Sequence, residues 1–233
     1  MKIVFVGDSW AWKGITKENN KTFDQFGDSD ARLADFWNIE YQLCVGLGKG
    51  NLGLLELVQS QNIDPEIPIV WVYTEPGRDY GAVTGRPEFE WMESEDIFAI
   101  RKDLDLEILQ RIRNSLKNPI SLIGGLSDVD QTLAESLGLS VLHPSWQGWI
   151  GKTLNSKWFK FGWGAGDIGW RTNYNKVTPS RAAVFEFDEL IKEWYWWEEM
   201  GYFYQVHPSL RATQEFAEFL QADVINWVQQ QYE

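Results

Sequence analysis

The sequence predicts a three-layer α/β/α protein built on a mostly parallel five-stranded sheet. Three observations predict it. Five short runs of aliphatic and aromatic residues alternate with segments of helical spacing, the pattern left by parallel strands joined through crossover helices. The first of these runs, Ile3 to Val6, is continuously apolar, as a strand covered on both faces tends to be. The 233 residues are 44% apolar and 24% charged, which suits one soluble domain with a sizeable core.

The elements follow in order. Ile3 to Val6 is a strand that stops at Gly7-Asp8-Ser9. Residues 13–31 are polar and rich in Asn, Asp and Lys, and read as a surface loop or a poorly periodic helix. Ile39 to Val45 alternates as a second strand, runs into the glycine turn Gly46 to Asn51, and is followed by an apolar helix near 52–61. Ile67 to Tyr73 is the strongest strand, ending at Thr74-Glu75-Pro76-Gly77-Arg78. Ile97, Ile100, Leu104, Ile108 and Ile112 recur at helical spacing within 94–117. Ile120 to Ile123 is a fourth strand, followed by Gly124-Gly125. Ser127 or Asp128 is placed to cap a helix reaching Leu137, with Gly138 as its stop. Leu139 to Leu142 is a fifth strand ending at His143-Pro144-Ser145. Residues 146–178 carry five Trp among six Gly with little periodicity, and read as a long ordered insertion or lid. Thr178-Pro179 opens a helix to Gly201, and a last helix spans about Ser209 to Gln230.

Composition narrows function. The net charge of −13 opposes a nucleic-acid backbone or an anionic membrane as partner. A single cysteine, Cys44, forms no internal disulfide, and its strand reads as buried. Two histidines and one cysteine make no zinc-ligand set of the Cys/His kind, so no metal or cofactor is expected. Gly46-x-Gly48-x-Gly50 lacks the remaining glycine spacing of a dinucleotide loop. The start of the chain lacks a signal-peptide core and no stretch is long enough to span a bilayer. The expectation is a protein working in the cytosol.

Open parallel sheets bind ligands beyond the carboxyl ends of their strands. Ser9, Gly48 to Asn51, Thr74 to Arg78 and His143 all follow predicted strands and so share that rim. A serine on a tight turn such as Gly7-Asp8-Ser9 exposes its hydroxyl, although the same tripeptide is ordinary turn chemistry. His207-Pro208-Ser209 sits just before the last helix, from which an imidazole could serve as general base to a serine, or simply start the helix.

Together, Gly7-Asp8-Ser9 after strand one, the glycine block after strand two and His207-Pro208 before the final helix resemble the SGNH/GDSL hydrolases. The closest likeness is to the short members often encoded in tailed-phage genomes, with Asp8-Ser9-Trp10 near the start. The resemblance implies a flavodoxin-like sheet and a serine ester hydrolase or deacylase with no cofactor. Ser9 would be the nucleophile and His207 the base, with the backbones of Ser9 and of Gly48 or Gly50, preferably Gly50, donating to the oxyanion. It implies a small-molecule or carbohydrate ester as substrate. A phage origin would place the protein in the host cytoplasm or the virion.

Two departures stand out. The family's third block carries an asparagine that donates to the oxyanion, whereas this chain has Thr74-Glu75-Pro76-Gly77. Thr74 could substitute with its hydroxyl and Arg78 with its charge. The family's aspartate before the histidine is replaced by Tyr204 and Gln205, which leaves the imidazole without its usual orienting acid. A non-catalytic binding or phage accessory protein that keeps the fold is therefore the second reading. Trp10, Arg78, His143 and Trp146 are the candidates for contacting substrate, with His143 read first as a packed residue. Eight of the 14 Trp fall between 146 and 197, so the excess belongs mainly to one region.

Overall fold

A computed structural model describes residues 1–8, 11, 32–74, 76–86, 97–125, 128–155, 196–197, 199–204 and 207–233, with residues 97–99, 203, 204 and 207 described by backbone only. The five expected strands are β1 (Lys2–Gly7), β2 (Glu40–Val45), β3 (Ile69–Tyr73), β4 (Ile120–Gly124) and β5 (Ser140–His143). All pair in parallel, in the order β2-β1-β3-β4-β5.

Alternation along each strand divides the side chains between two covering layers. Val4, Val6, Ile69, Trp71, Tyr73, Ile120 and Leu122 pack against helices α1 (Asn51–Ser60), α3 (Ile97–Ser115) and α4 (Gln131–Ser136). Ile3, Phe5, Val70, Val72 and Ile123 meet a 3-10 segment (Leu33–Trp37), helix α5 (Trp146–Thr153) and helix α6 (Leu210–Gln230). Both faces are buried, which is why β1 and β3 read as uninterrupted apolar runs rather than as alternating ones. Two of the largest buried side chains also satisfy their polar atoms. Trp37 Nε1 donates to Ala217 O at 3.2 Å and Trp71 Nε1 donates to Asn51 Oδ1 at 3.3 Å.

Several local expectations change. The cap of α4 is Asp130, whose side chain accepts from Leu133 N at 3.0 Å, rather than Ser127 or Asp128. Asp128 is buried, and its carbonyl accepts from Arg101. The Trp-rich region begins as helix α5, not as irregular chain: Ser145 Oγ accepts from Gly148 N at 2.8 Å and supplies its cap. The remainder of that region to residue 195 lies outside the described residues, as do the polar stretch 13–31 and the helix expected from Thr178. Before the final helix, β6 (Phe203–Tyr204) and β7 (His207–Pro208) form a short antiparallel pair that the sequence reading did not include. A second 3-10 segment (Pro76–Asp79) and helix α2 (Tyr80–Thr84) follow β3.

Helix α6 runs antiparallel to the strands. Its far end lies at their starts, where Trp227 Nε1 donates to Ser140 Oγ at 3.2 Å and Tyr232 Oη donates to Lys2 O at 2.7 Å. Its near end lies at their carboxyl ends, where the Phe216 ring is 5.3 Å from that of His143. Among the described residues no helix is long and apolar enough to cross a membrane.

Candidate functional site

In this strand order the chain leaves β1 toward one edge for β2, then returns to the other side of β1 for β3. The carboxyl ends of β1 and β3 are therefore the topological switch point, where open α/β sheets leave a crevice for ligands. Five polar side chains meet there: Asp8, Asn51, Thr74, Arg78 and Asp79.

Asp8 directly follows β1 and is almost wholly buried. Its carboxylate accepts from Thr74 Oγ1 at 2.8 Å and pairs with Arg78, whose Nη1 is 3.2 Å from Oδ2. Gly7 permits the close turn that starts here, since a Cβ at this position would lie 2.3 Å from that of Ala11. Ala11 N donates back to Asp8 O at 3.1 Å, and Gly46 N donates to Gly7 O at 3.1 Å. The glycine block is thereby tied to the end of β1. Ser9 and Trp10 lie outside the described residues.

Asn51 and Asp79 organise the other half. Asn51 is fully buried in the first turn of α1. Its Oδ1 accepts from Thr74 N at 3.1 Å and from Trp71 Nε1 at 3.3 Å, while its Nδ2 donates to Thr74 O at 2.9 Å. Asp79 accepts from Asn51 N at 2.7 Å and Leu52 N at 3.0 Å. It is thus a carboxylate seated on the amino end of α1, where the orphan N–H groups and the helix dipole favour an anion. Burial raises its pKa, opposed by those N–H donors. Gly50 is required beside it because a Cβ there would lie 2.2 Å from Asp79 Oδ1.

These bonds decide what the expected donors can do. The single Thr74 hydroxyl proton is engaged by Asp8, so this group does not donate to an oxyanion as it stands. The Gly50 N–H has no acceptor among the described residues, whereas the amides of Asn51 and Leu52 are taken by Asp79. Gly48 occupies the left-handed region at φ 70°, in the turn ahead of α1. His207 is described by backbone only, in β7. Ser209 N donates to Tyr202 O at 2.9 Å and Ser209 Oγ to Gly201 O at 2.7 Å, which ties the start of α6 to the 201–204 segment. Since α6 starts at the carboxyl end of the sheet, residues 207–209 approach the rim from the α6 layer.

His143 and Trp146 belong to an aromatic cluster under α6. His143 stands edge-on to Phe216 and to Phe219, and its Nδ1 accepts from Ser145 N at 3.1 Å, which leaves the ring proton on Nε2. Trp146 stacks on Phe216 with ring centroids 5.0 Å apart and is 1% exposed, so it offers no face to solvent. Burial lowers the His143 pKa to about 4, with Lys152 acting in the same direction and the Ser145 N–H bond and Asp223 opposing. His143 is neutral at neutral pH and too weak a base to compete for a proton. The unfolded chain binds that proton near the ordinary histidine value, so stability is full above about pH 6.5 and falls toward pH 4. Between pH 7 and pH 5 the expected loss from this group is about 1–2 kcal/mol, discounted for its partial exposure. Denaturant unfolding of His143→Phe at both pH values should show a drop smaller by that amount. An identical drop in the variant would mean that other groups carry it.

Cys44 is buried in β2, and burial pushes its thiol up to about 11, away from reactivity at neutral pH. Among the described residues no group of three or more His, Cys, Asp or Glu is arranged to hold a metal.

Sequence reasoning missed Asp8, Asn51 and Asp79 as site organisers. The only available signal was local: a buried-strand end followed by Asp, and an Asn directly after the glycine block. Fold and rim define the class, an open parallel α/β protein whose polar site sits at the switch point beside β1. No protein-family model matches the chain, and none of the curated proteins compared with it is similar enough to count as a relative.

Proposed function

We propose that the protein is a serine ester hydrolase of the SGNH type, with Ser9 as nucleophile and His207 as general base. The observation that supports the reading is the position of Gly7-Asp8, the two residues before Ser9 in the sequence, at the end of β1 beside the switch point. Approach of the 207–209 backbone to the same edge from the α6 layer adds support. In the reaction, Ser9 Oγ bonds to the ester carbonyl carbon while the carbonyl π pair moves onto oxygen and His207 takes the hydroxyl proton. Collapse breaks the bond to the alcohol, which leaves with that proton. Water then repeats the sequence on the acyl-enzyme and restores Ser9. The backbone N–H groups of Ser9 and Gly50 would face the oxyanion. A small-molecule or carbohydrate ester is the substrate class.

Ser9-dependent labelling by a fluorophosphonate probe tests this. The wild-type chain should be labelled and should turn over 4-nitrophenyl acetate. Ser9→Ala should lose labelling and at least about 10³-fold in kcat. Absence of both in the wild-type chain would favour the second reading, a binding protein on the same fold. Replacement of the family's acid by Tyr204 and Gln205 is what keeps that reading in play.

A further inference from the structure

We infer that the ring of Phe219 is the platform of a carbohydrate-binding site, framed by Trp149 and His143 at the β5 edge of the sheet. All its residues belong to β5, α5 and α6, apart from those proposed for ester hydrolysis.

Three aromatic rings are layered at this edge. Trp146 stacks on Phe216 at 18° with centroids 5.0 Å apart, and Phe216 stacks on Phe219 at 15° and 6.3 Å. The first two rings are buried, whereas Phe219 is 54% exposed, so the stack ends on an open ring. Trp149 leans toward that ring, centroids 6.0 Å apart and planes at 39°, and His143 meets it edge-on at 5.7 Å. Both of these side chains are partly exposed.

A lone exposed phenylalanine is ordinary on a protein surface. This one is distinguished by its polar frame. His143 Nδ1 is occupied by Ser145 N, and neither its Nε2–H nor Trp149 Nε1–H has a hydrogen-bond partner among the described residues. Asp223 follows Phe219 by one turn of α6, and Lys152 follows Trp149 by one turn of α5. Both lie close enough to His143 to act on its charge, in opposite directions. The open ring is thus surrounded by two N–H donors, a carboxylate acceptor and a balancing cation.

A ligand for this frame needs a flat apolar face, hydrogen-bonding groups at its edge and little net charge. A pyranose with equatorial hydroxyls has all three. Its C–H face lies on the aromatic ring, while its hydroxyls accept from the N–H groups and donate to the carboxylate. An aliphatic side chain of a protein partner would instead cover those polar groups without pairing them. The place in the fold suits a ligand as well. His143 ends β5, two strands from β3, about 10 Å from the switch point across the carboxyl-end rim. The site would hold the sugar of a carbohydrate ester, but it stands whether or not the protein hydrolyses one.

Cellotetraose is the probe, because its β-linked glucose rings present C–H faces, and it is titrated into the full chain by calorimetry and saturation-transfer NMR. Wild type should bind with a Kd at or below about 5 mM. Phe219→Ala should weaken binding at least about tenfold, and Phe219→Tyr, which keeps the ring, by less than about threefold. His143→Phe removes the donor but keeps an aromatic edge, and should weaken binding about three- to tenfold. Tyr232→Ala, an exposed ring just past the far end of α6, should change nothing. Absence of wild-type binding at about 20 mM cellotetraose overturns the inference, as does equal binding by wild type and Phe219→Ala. Concentration-dependent dimerisation that Phe219→Ala abolishes also overturns it, because the ring would then be an interface between copies. If Phe219→Ala does not fold, the His143→Phe titration decides. Binding is read without turnover, so a chain that binds but shows no Ser9 labelling overturns the esterase reading and leaves this site standing.

Discussion

Arg101→Met is expected to destabilise the protein by about 3–5 kcal/mol, the cost of leaving a buried carboxylate without its cation. Arg101 in α3 is 6% exposed and Asp105, one turn on, is 4% exposed. Arg101 Nε donates to Asp105 Oδ2 at 2.9 Å, and its Nη2 donates to Asp128 O at 3.1 Å. Tyr73 Oη, at the end of β3, donates to Asp105 Oδ1 at 2.7 Å. Burial works most strongly against the Arg101 charge, but Asp105, Tyr73 and Asp128 together outweigh it and the pKa is raised, so the cation persists. Burial and the neighbouring Asp105 push the Tyr73 phenol well above its usual value, so it stays protonated as a donor. The network pins α3 to the sheet and to the loop after β4, beneath the rim.

Replacing the whole set should cost far less than breaking it. Arg101→Met with Asp105→Leu and Tyr73→Phe removes the charges and the donor together, and similar exchanges of buried ion pairs in other proteins are often neutral or stabilising. Urea unfolding followed by tryptophan fluorescence measures both. A single variant losing under about 1 kcal/mol, with no recovery in the triple variant, would mean that the ion pair is solvated or replaceable.

The second large effect is expected at Asn51. Asn51→Ala should cost about 3–4 kcal/mol, because it orphans Thr74 N–H, Trp71 Nε1–H and Thr74 O in the interior, each a group whose desolvation is then uncompensated. Asn51→Asp is no remedy. A carboxylate cannot donate to Thr74 O, and it would sit beside Asp79, whose Oδ2 is 3.4 Å from the present amide nitrogen. Both variants should therefore fall well below wild type in the same unfolding experiment. Asn51→Asp retaining wild-type stability would show that this amide does not hold the end of β3 in place.

Much of the fold was legible because it is written in short-range pattern. Val70, Trp71 and Val72 are buried on alternate faces, and a strand covered on both sides must be apolar at every position. Gly138 stops α4 at φ 75°, a left-handed conformation that glycine adopts without strain. The final helix starts where the sequence places it, with Ser209 as its cap accepting from Ala212 N at 3.1 Å. The Trp146–Thr153 helix was missed because eight residues are too few for a period to show, and four of its positions are Gly or Trp.

The candidate site was legible only as a set of strand ends. Asp79, one residue past the turn that ends at Arg78, closes the amino end of a helix that begins 28 residues earlier. Thr74 looked like a spare hydroxyl until its partner, Asp8, was found 66 residues away. A carboxylate's role is set by which donors surround it, and those come from segments with no sequence relation to it.

By itself, then, the sequence determined the five strands, the helices that follow β2, β3 and β4, the final helix, and the parallel alternation. Each follows from periodicity, capping and turn preference within a few residues. Tertiary structure alone decided that β1 and β3 are neighbours at the switch point and that Asn51 and Asp79 serve the backbone. It alone also showed that Arg78 leans on Asp8. Strand order and long-range polar pairing depend on which surfaces the collapsed chain brings together, and no local pattern encodes them.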